Sequence, residues 1–375
     1  MSNYLKLGAT ANWYKVLFIS SLVGLIWNAA YQIEVKHSIE VLHQGISPTD
    51  PVACTLVEIQ DAEGQPEAFY MDVESVVCGD QHCRIDLVRI YWNPFGQFSN
   101  LVLPQGVFLE KAAGKNFTDV DYKKLEGILE NENSTLQDVY KNEIVNTVGS
   151  EGVDAMTGAT VLLDTSAYVE GAVWTCYSLW HWVHGDTKQL IRNITGNAYP
   201  ISKLQKLIGE NENQDFALEQ LIRRQDFSIT TAELILKTIE KNPSLLQQSI
   251  VYWELAPRPI FTHAMSNLIV ISKSKNRLIG FNAILNTQHN LSPSFFKDLN
   301  LPLAQLNYQE INLFLKILEK NKMVSEAMMN ELVSLLDSED FLIARCVYWF
   351  LNDQSLSEWQ QHQLEKFYNI WKERL

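Results

Sequence analysis

The sequence predicts an N-terminal membrane-anchor helix, a mixed α+β domain and an all-α array of helix pairs, on three observations. The chain has 375 residues, which at ~100–200 residues per domain corresponds to two domains. Fifteen of its seventeen glycines fall between Gly8 and Gly196, leaving Gly209 and Gly280 for the rest. Gly marks turns and close backbone approach, so the first half reads as turn-rich and mixed, the second as nearly all helix. In that second half a leucine and a following Ser or Thr recur with a period near 33. The expected boundaries are 1–34 for the anchor, 35–195 for the α+β domain and 196–375 for the helical repeats.

Composition narrows the function classes. With 46% hydrophobic and 20% charged residues the chain is globular, and five cysteines are too few for a disulfide-held scaffold. The net charge of −14 comes without a local basic patch. That argues against nucleic acid as a partner.

Between Lys15 and Glu34 lies an uncharged segment, Val16 to Ile33, long enough to reach the lower limit for crossing a bilayer. Lys6 and Lys15 precede it and no acid occurs before Glu34. The positive-inside rule then puts the amino terminus in the cytoplasm and the bulk of the chain on the extracytoplasmic, periplasmic side of the inner membrane. A buried helix of a soluble protein is the competing reading, but it does not account for two lysines and no acid ahead of the segment. Trp27 and Asn28 fit a small-x-small cleavage pattern poorly, which favours a retained anchor over a cleaved signal.

Within 35–195, Met71 to Val77 and Ile85 to Trp92 read as strands flanking Cys78-Gly79-Asp80-Gln81-His82-Cys83. In an exported chain Cys78 and Cys83 read as a disulfide pinning a hairpin turn; in a reducing compartment they are separate thiols or half a metal site. No second Cys/His pair completes a zinc tetrad. Leu103 to Gly106 reads as a loop and Phe117 to Leu129 as an amphipathic helix. His181 and His184 share a helix face beside Trp180 and Trp182, a spacing that suits a shared metal, but with no third ligand nearby they read as core or surface histidines. The chain carries no phosphate loop, no Gly-x-Ser-x-Gly elbow and no His-Glu-x-x-His.

From residue 220 onward, Leu221, Leu255, Leu285, Leu318 and Leu351 are spaced by 34, 30, 33 and 33 residues. Each is followed by an apolar residue and a hydroxyl residue: Phe227-Ser228, Phe261-Thr262, Leu291-Ser292, Val324-Ser325 and Leu356-Ser357. Such a period is the signature of stacked helix pairs, a solenoid of the HEAT or tetratricopeptide kind, with the Ser and Thr as helix N-caps. Ser357 with Gln360 reads as a capping box. Val251-Tyr252-Trp253 and Val347-Tyr348-Trp349 occupy equivalent places and read as core between repeats.

One segment remains, Val153-Asp154-Ala155-Met156-Thr157-Gly158-Ala159-Thr160, ahead of an apolar helical run from Ala167 to Val183 for which Asp164, Thr165 and Ser166 are candidate caps. By itself it is a small-residue loop feeding a helix, either a weak anion site or an ordinary capped turn. Asp154-x-x-Thr157-Gly158-Ala159-Thr160 resembles the Asp-x-x-(Ser/Thr)-Gly-Ala-(Thr/Ser) motif of the FMN-binding domain family, found in flavin subunits of sodium-pumping NADH:quinone reductases. The resemblance implies FMN joined to Thr160 through a phosphoester by an exported flavin transferase that uses FAD and magnesium. It implies that Thr157, Gly158 and Ala159 let the loop enter the transferase, and that Asp154 is the acid the transferase reads. It covers the motif and the helix after it, and does not reach the repeats. Family members commonly carry a second hydroxyl two places after the attachment residue; here that place is Leu162. Trp174 and Tyr177 are candidates to pack the isoalloxazine, or are core residues.

Two functions follow as expectations. One is an anchored extracytoplasmic flavoprotein, a component that carries electrons through FMN on Thr160 to or from a redox partner docked on the repeats, rather than an independent catalyst. The other is a non-redox envelope scaffold that keeps a flavin-domain-like fold without the flavin.

Overall fold

The computed structural model describes residues 33–75, 86–111, 114–140, 164–292, 295–296, 299, 301–322 and 324–375. The segment expected to be the membrane anchor lies outside them except for its last two residues, Ile33 and Glu34, which belong to the first strand. The chain divides into two compact units between Tyr199 and Pro200. The first is an antiparallel sheet with helices; the second, among its described residues, contains helices and no strand.

The sheet is a five-stranded meander in the order β1 (Ile33–His43), β2 (Ser47–Gln60), β3 (Pro66–Glu74), β4 (Leu87–Trp92) and β5 (Phe98–Val102). Its register places Phe69 opposite Trp92, Met71 opposite Ile90 and Val73 opposite Val88. Residues directly opposite share a face, so these six build one buried surface, joined by Val41 and Leu56. The strands expected at Met71–Val77 and Ile85–Trp92 correspond to β3, which starts earlier at Pro66, and to β4. A short ladder, β6 (Glu110–Lys111) with β7 (Lys115–Asn116), leads into helix α1 (Asp119–Glu130). Thr118 and Asp121 close a capping box there. Lys111 Nζ, 2.7 Å from Asp121, and the Thr118 hydroxyl and backbone amide hold the Asp121 carboxyl down to about 2.

Helix α2 (Val173–His184) is buried from Thr175 to Val183, so it is enclosed on every side and belongs to the interior. The apolar run had suggested a start at Ala167 under one of three caps. Instead Asp164 caps a separate 3-10 turn, Thr165–Ala167, by accepting from the Ser166 amide, and Gly171 takes φ +76° before α2 begins. Helix α3 (Asp186–Ala198) follows after Gly185 alone. A Cβ at Gly185 would stand 2.5 Å from the His181 carbonyl oxygen, so the corner between the two helices admits no side chain. Helix α3 packs on β1 and β3, α1 on β5, and α2 on both helices. Trp92 joins the layers, its Nε1 donating to the Val183 carbonyl at 3.1 Å.

The second unit comprises α4 (Ile201–Gly209), α5 (Gln214–Arg223), α6 (Ile229–Lys241), α7 (Leu246–Leu255), α8 (Arg258–Ile271), α9 (Ser274–Asn286), α10 (Tyr308–Asn321), α11 (Glu326–Ser334), α12 (Phe341–Asn352) and α13 (Glu358–Trp371). Helices pack on the next and the next but one, as α4 does on α5 and α6, and α12 does on α10 and α13. Side-chain hydrogen bonds reproduce the sequence period: Gln248 Nε2 donates to the Asp215 carbonyl, Arg277 to Glu310, Thr287 to Glu254 and Asn307 to Ser274, each across 33 residues.

The N-cap pattern holds in part. Ser228 and Ser325 cap α6 and α11, and Ser357 with Gln360 closes the capping box of α13. Thr262 does not cap: it sits inside α8, where its hydroxyl donates to the Arg258 carbonyl at 3.0 Å, because Pro257 and Pro259 start that helix five residues earlier than the motif suggested. The leucines also differ, with Leu221, Leu318 and Leu351 buried and Leu255 57% exposed. The two Val-Tyr-Trp triplets are not equivalent. Trp253 is buried and Val251 exposed, whereas Trp349 is exposed and Val347 buried; only the tyrosines are core at both places.

Candidate functional site

The residues that the family resemblance singles out, Asp154, Thr157, Gly158, Ala159 and Thr160, lie between Tyr140 and Asp164, outside the described residues. Cys78 and Cys83 lie outside them as well. The described cysteines, Cys54, Cys176 and Cys346, are free thiols. Burial pushes the Cys176 thiol up to about 11, so it is protonated at neutral pH and structural; its Sγ accepts from the Val169 amide at 3.2 Å.

The structure does describe both approaches to the motif. On the incoming side Leu136 and Val139 are buried, and the Val139 carbonyl accepts from the Tyr177 hydroxyl at 3.2 Å. On the outgoing side Lys124 Nζ donates to the Thr165 carbonyl at 2.9 Å. Of the two aromatics considered for the flavin ring, Tyr177 is fully buried, with Trp174 edge-on at 6.1 Å and His181 at 4.4 Å. It has no free face, and only the half-buried Trp174 retains surface for a planar ligand.

Around Tyr177 the fold assembles polar aromatic residues distant in sequence. His43, at the end of β1, lies 4.3 Å from the Trp182 ring and 6.1 Å from His181. Its Nε2 donates to the Ser178 carbonyl, and its Nδ1 accepts from the amides of Gly45 and Ile46, a pattern that only the neutral Nε2–H tautomer satisfies. His181 and His184 line a groove of about 390 Å³ with Glu132, Gln137, Asp186 and Lys188. Burial first, then the nearby His43, pushes His181 down to about 4; burial also lowers His184. Both rings are therefore neutral at physiological pH. Glu132 is neutralised locally by Lys188, 2.7 Å away.

No group of three or more His, Cys, Asp or Glu side chains converges to hold a metal among the described residues. His181 and His184 do share a face, as their spacing suggested: His184 bonds the Leu129 carbonyl, and His181 is buried among the rings of Tyr177, Trp180 and His43. His43 was not visible from sequence: its partner Ser178 is 135 residues away, and no local pattern marks that meeting. No helix among the described residues is long and apolar enough to cross a membrane. No family model, no curated protein and no solved structure matches this chain.

Proposed function

We propose that the chain is an extracytoplasmic, membrane-anchored flavoprotein component in which FMN is joined covalently to Thr160, and that its helical half is a HEAT-like solenoid on which a redox partner docks. The observation that carries this reading is the segment Asp154-x-x-Thr157-Gly158-Ala159-Thr160. It is supported by the setting of that segment, between two backbone stretches tied to helices of a sheet domain through Tyr177 and Lys124. Bound FMN supplies reversible electron transfer, while the polypeptide supplies position and electrostatics. Asp154, Thr157, Gly158 and Ala159 form the sequence a flavin transferase reads, and Thr160 offers the hydroxyl. The solenoid reading is supported by the recurrence of side-chain hydrogen bonds at 33-residue separation, since such arrays bond each repeat to its neighbour.

The test is expression of the full chain with an exported flavin transferase, read by intact mass and by yellow fluorescence after denaturing gel electrophoresis. An added mass equal to FMN, lost in Thr160→Val, is the expected result. A mass equal to the bare polypeptide overturns the reading.

Leu162 favours a second reading, a scaffold that keeps a flavin-domain-like fold without flavin. In that case the protein isolated from its native membrane carries no flavin and yet retains envelope proteins bound to its helical half.

A further inference from the structure

Strand β1 ends the sheet. It pairs with β2 on one side, and among the described residues no strand lies on the other. Its 11 residues alternate cleanly: Glu34, Lys36, Ser38, Glu40 and Leu42 are exposed, while Val35, His37 and Ile39 are half-buried and Val41 is buried. At the opposite end of the sheet β5 has only 5 residues and is packed by α1. A long uncovered edge offers its amides and carbonyls to a second strand, and folds that keep such an edge single set bulges, prolines or repelling charges on it. β1 contains no proline, and its register with β2 breaks only beyond Val41. There the Leu42 amide turns to the Asp186 carboxylate at 2.9 Å, which closes the edge at that end.

The charges on this edge select the partner. Glu34 is engaged within its own sheet, accepting from the Tyr70 hydroxyl at 3.1 Å. Lys36 and Glu40 have no side-chain partner among the described residues, and they flank Ser38 symmetrically. In an antiparallel pair of identical strands, residues equidistant from the axis stand opposite each other. A two-fold axis at Ser38 therefore sets Lys36 of each copy against Glu40 of the other, a self-complementary contact. On the inner face the same register sets Val35 against Val41 and His37 against Ile39. An axis at His37 or Ile39 loses both ion pairs, and at His37 it sets Glu34 against Glu40. An axis at Lys36 or Glu40 puts like charge on like, and one at Val35 leaves most of the strand unpaired. An axis between two residues joins the exposed face of one copy to the inner face of the other.

We propose that β1 is a homodimer seam: a second copy of this chain adds its own β1 antiparallel about Ser38, through residues 35–41, and the two sheets become one. Backbone hydrogen bonds hold the seam, and the two Lys36–Glu40 pairs fix its register and direction. The seam forms whether or not Thr160 carries FMN.

The test is disulfide trapping of the full chain in detergent with a mild oxidant, read on a non-reducing gel. Ser38→Cys lies on the axis, where facing Cα atoms are about 5 Å apart, within reach of a disulfide. It is expected to trap most of the protein as dimer. Lys36→Cys, about 14 Å from its own copy, is expected to stay at the parent's level and to cross-link only when mixed with Glu40→Cys. In the Ser38→Cys chain, adding Lys36→Glu sets acid against acid and should lower the trapped fraction about fivefold. Adding Glu40→Lys as well exchanges the two charges and should restore it. These positions are all exposed, so none of the variants disturbs the core. Absence of trapping in Ser38→Cys overturns the seam, whatever other strand fills the edge. Equal trapping at residues 36 and 38, which marks random collision, also overturns it, as does a trapped fraction indifferent to Lys36→Glu. Sedimentation of the unmodified parent checks the same point without cysteines: a monomer at the concentrations used for trapping overturns the proposal.

Discussion

The two halves of this chain hold themselves together over different distances along the sequence. In the first, decisive contacts join residues far apart: Trp92 to Val183, His43 to Ser178, Leu42 to Asp186. In the second, these side-chain bonds reach across 33 residues, as between Arg277 and Glu310 or Thr287 and Glu254. The difference teaches where new chemistry can arise. A fold that closes over long separations gathers histidines and aromatics from unrelated segments into one buried cluster, whereas helices packed on near neighbours keep their bonds within a short stretch of chain.

The comparison is sharpest where the helical half buries charge. Glu310 has a side chain 2% exposed and pairs with Arg277 at 3.1 Å, while also accepting from the Asn307 amide in the capping box of α10. Glu310→Ala takes the carboxylate from a guanidinium that otherwise donates only to the Ile269 and Ser272 carbonyls and removes half the box, at a cost of about 3 kcal/mol. Calorimetry should show that loss in the transition of the second unit alone. A shift of both transitions together would mean the halves unfold as one, against the contrast drawn above.

Acid should act on the opposite half. His181 is held at about 4, below its ordinary 6.5, and His184 is also lowered, so the unfolded chain takes up protons first. Their contribution is complete above pH 6.5 and is lost as pH falls toward 4, for His181 on the order of 3 kcal/mol at 1.36 kcal/mol per unit. A thermal scan series between pH 7 and pH 4 should show the first unit losing stability faster than the second, and His181→Phe should flatten that slope. Equal slopes in the two units would remove the buried histidines as the cause.

The smallest effects test the repeat pattern. Ser228 accepts from the Thr231 amide at the start of α6, so Ser228→Ala should cost about 1 kcal/mol. Thr262 occupies the corresponding place in the sequence motif but bonds back within α8, so Thr262→Ala should stay within about 0.5 kcal/mol. Chemical denaturation of the two variants side by side measures the difference; equal losses would restore Thr262 as a cap.

What the sequence disclosed follows the same division. Glycine placement separated a sheet-bearing half from a helical one, and the hydroxyl residues marked three helix starts, because turns and caps are local choices. Prolines on either side of Arg258 moved one helix start and misled the motif at Thr262. The exposure of Trp349 against the burial of Trp253 depends on which face each helix turns inward, and identical triplets do not encode that. The cluster around His181 was half legible: its spacing with His184 showed a common face, but His43 and the carbonyls of Leu129, Asn131 and Val139 come from other elements. The hydrogen bonds of Tyr177 to the Val139 carbonyl and of Lys124 to the Thr165 carbonyl were not legible, because each joins elements far apart in sequence.

The bond between the Leu42 amide and the Asp186 carboxylate, 2.9 Å long and spanning 144 residues, has a mechanical counterpart. Pulled from its ends, the first unit carries load across contacts that bridge most of its length, so it should resist and then give way in a single event. The second unit, bonded at intervals of 33 residues, should pay out in steps of about 110 Å, the extended length of one interval. A chain tethered at one end and docked at the other would then have its compliance in the helical half and its rigidity in the sheet.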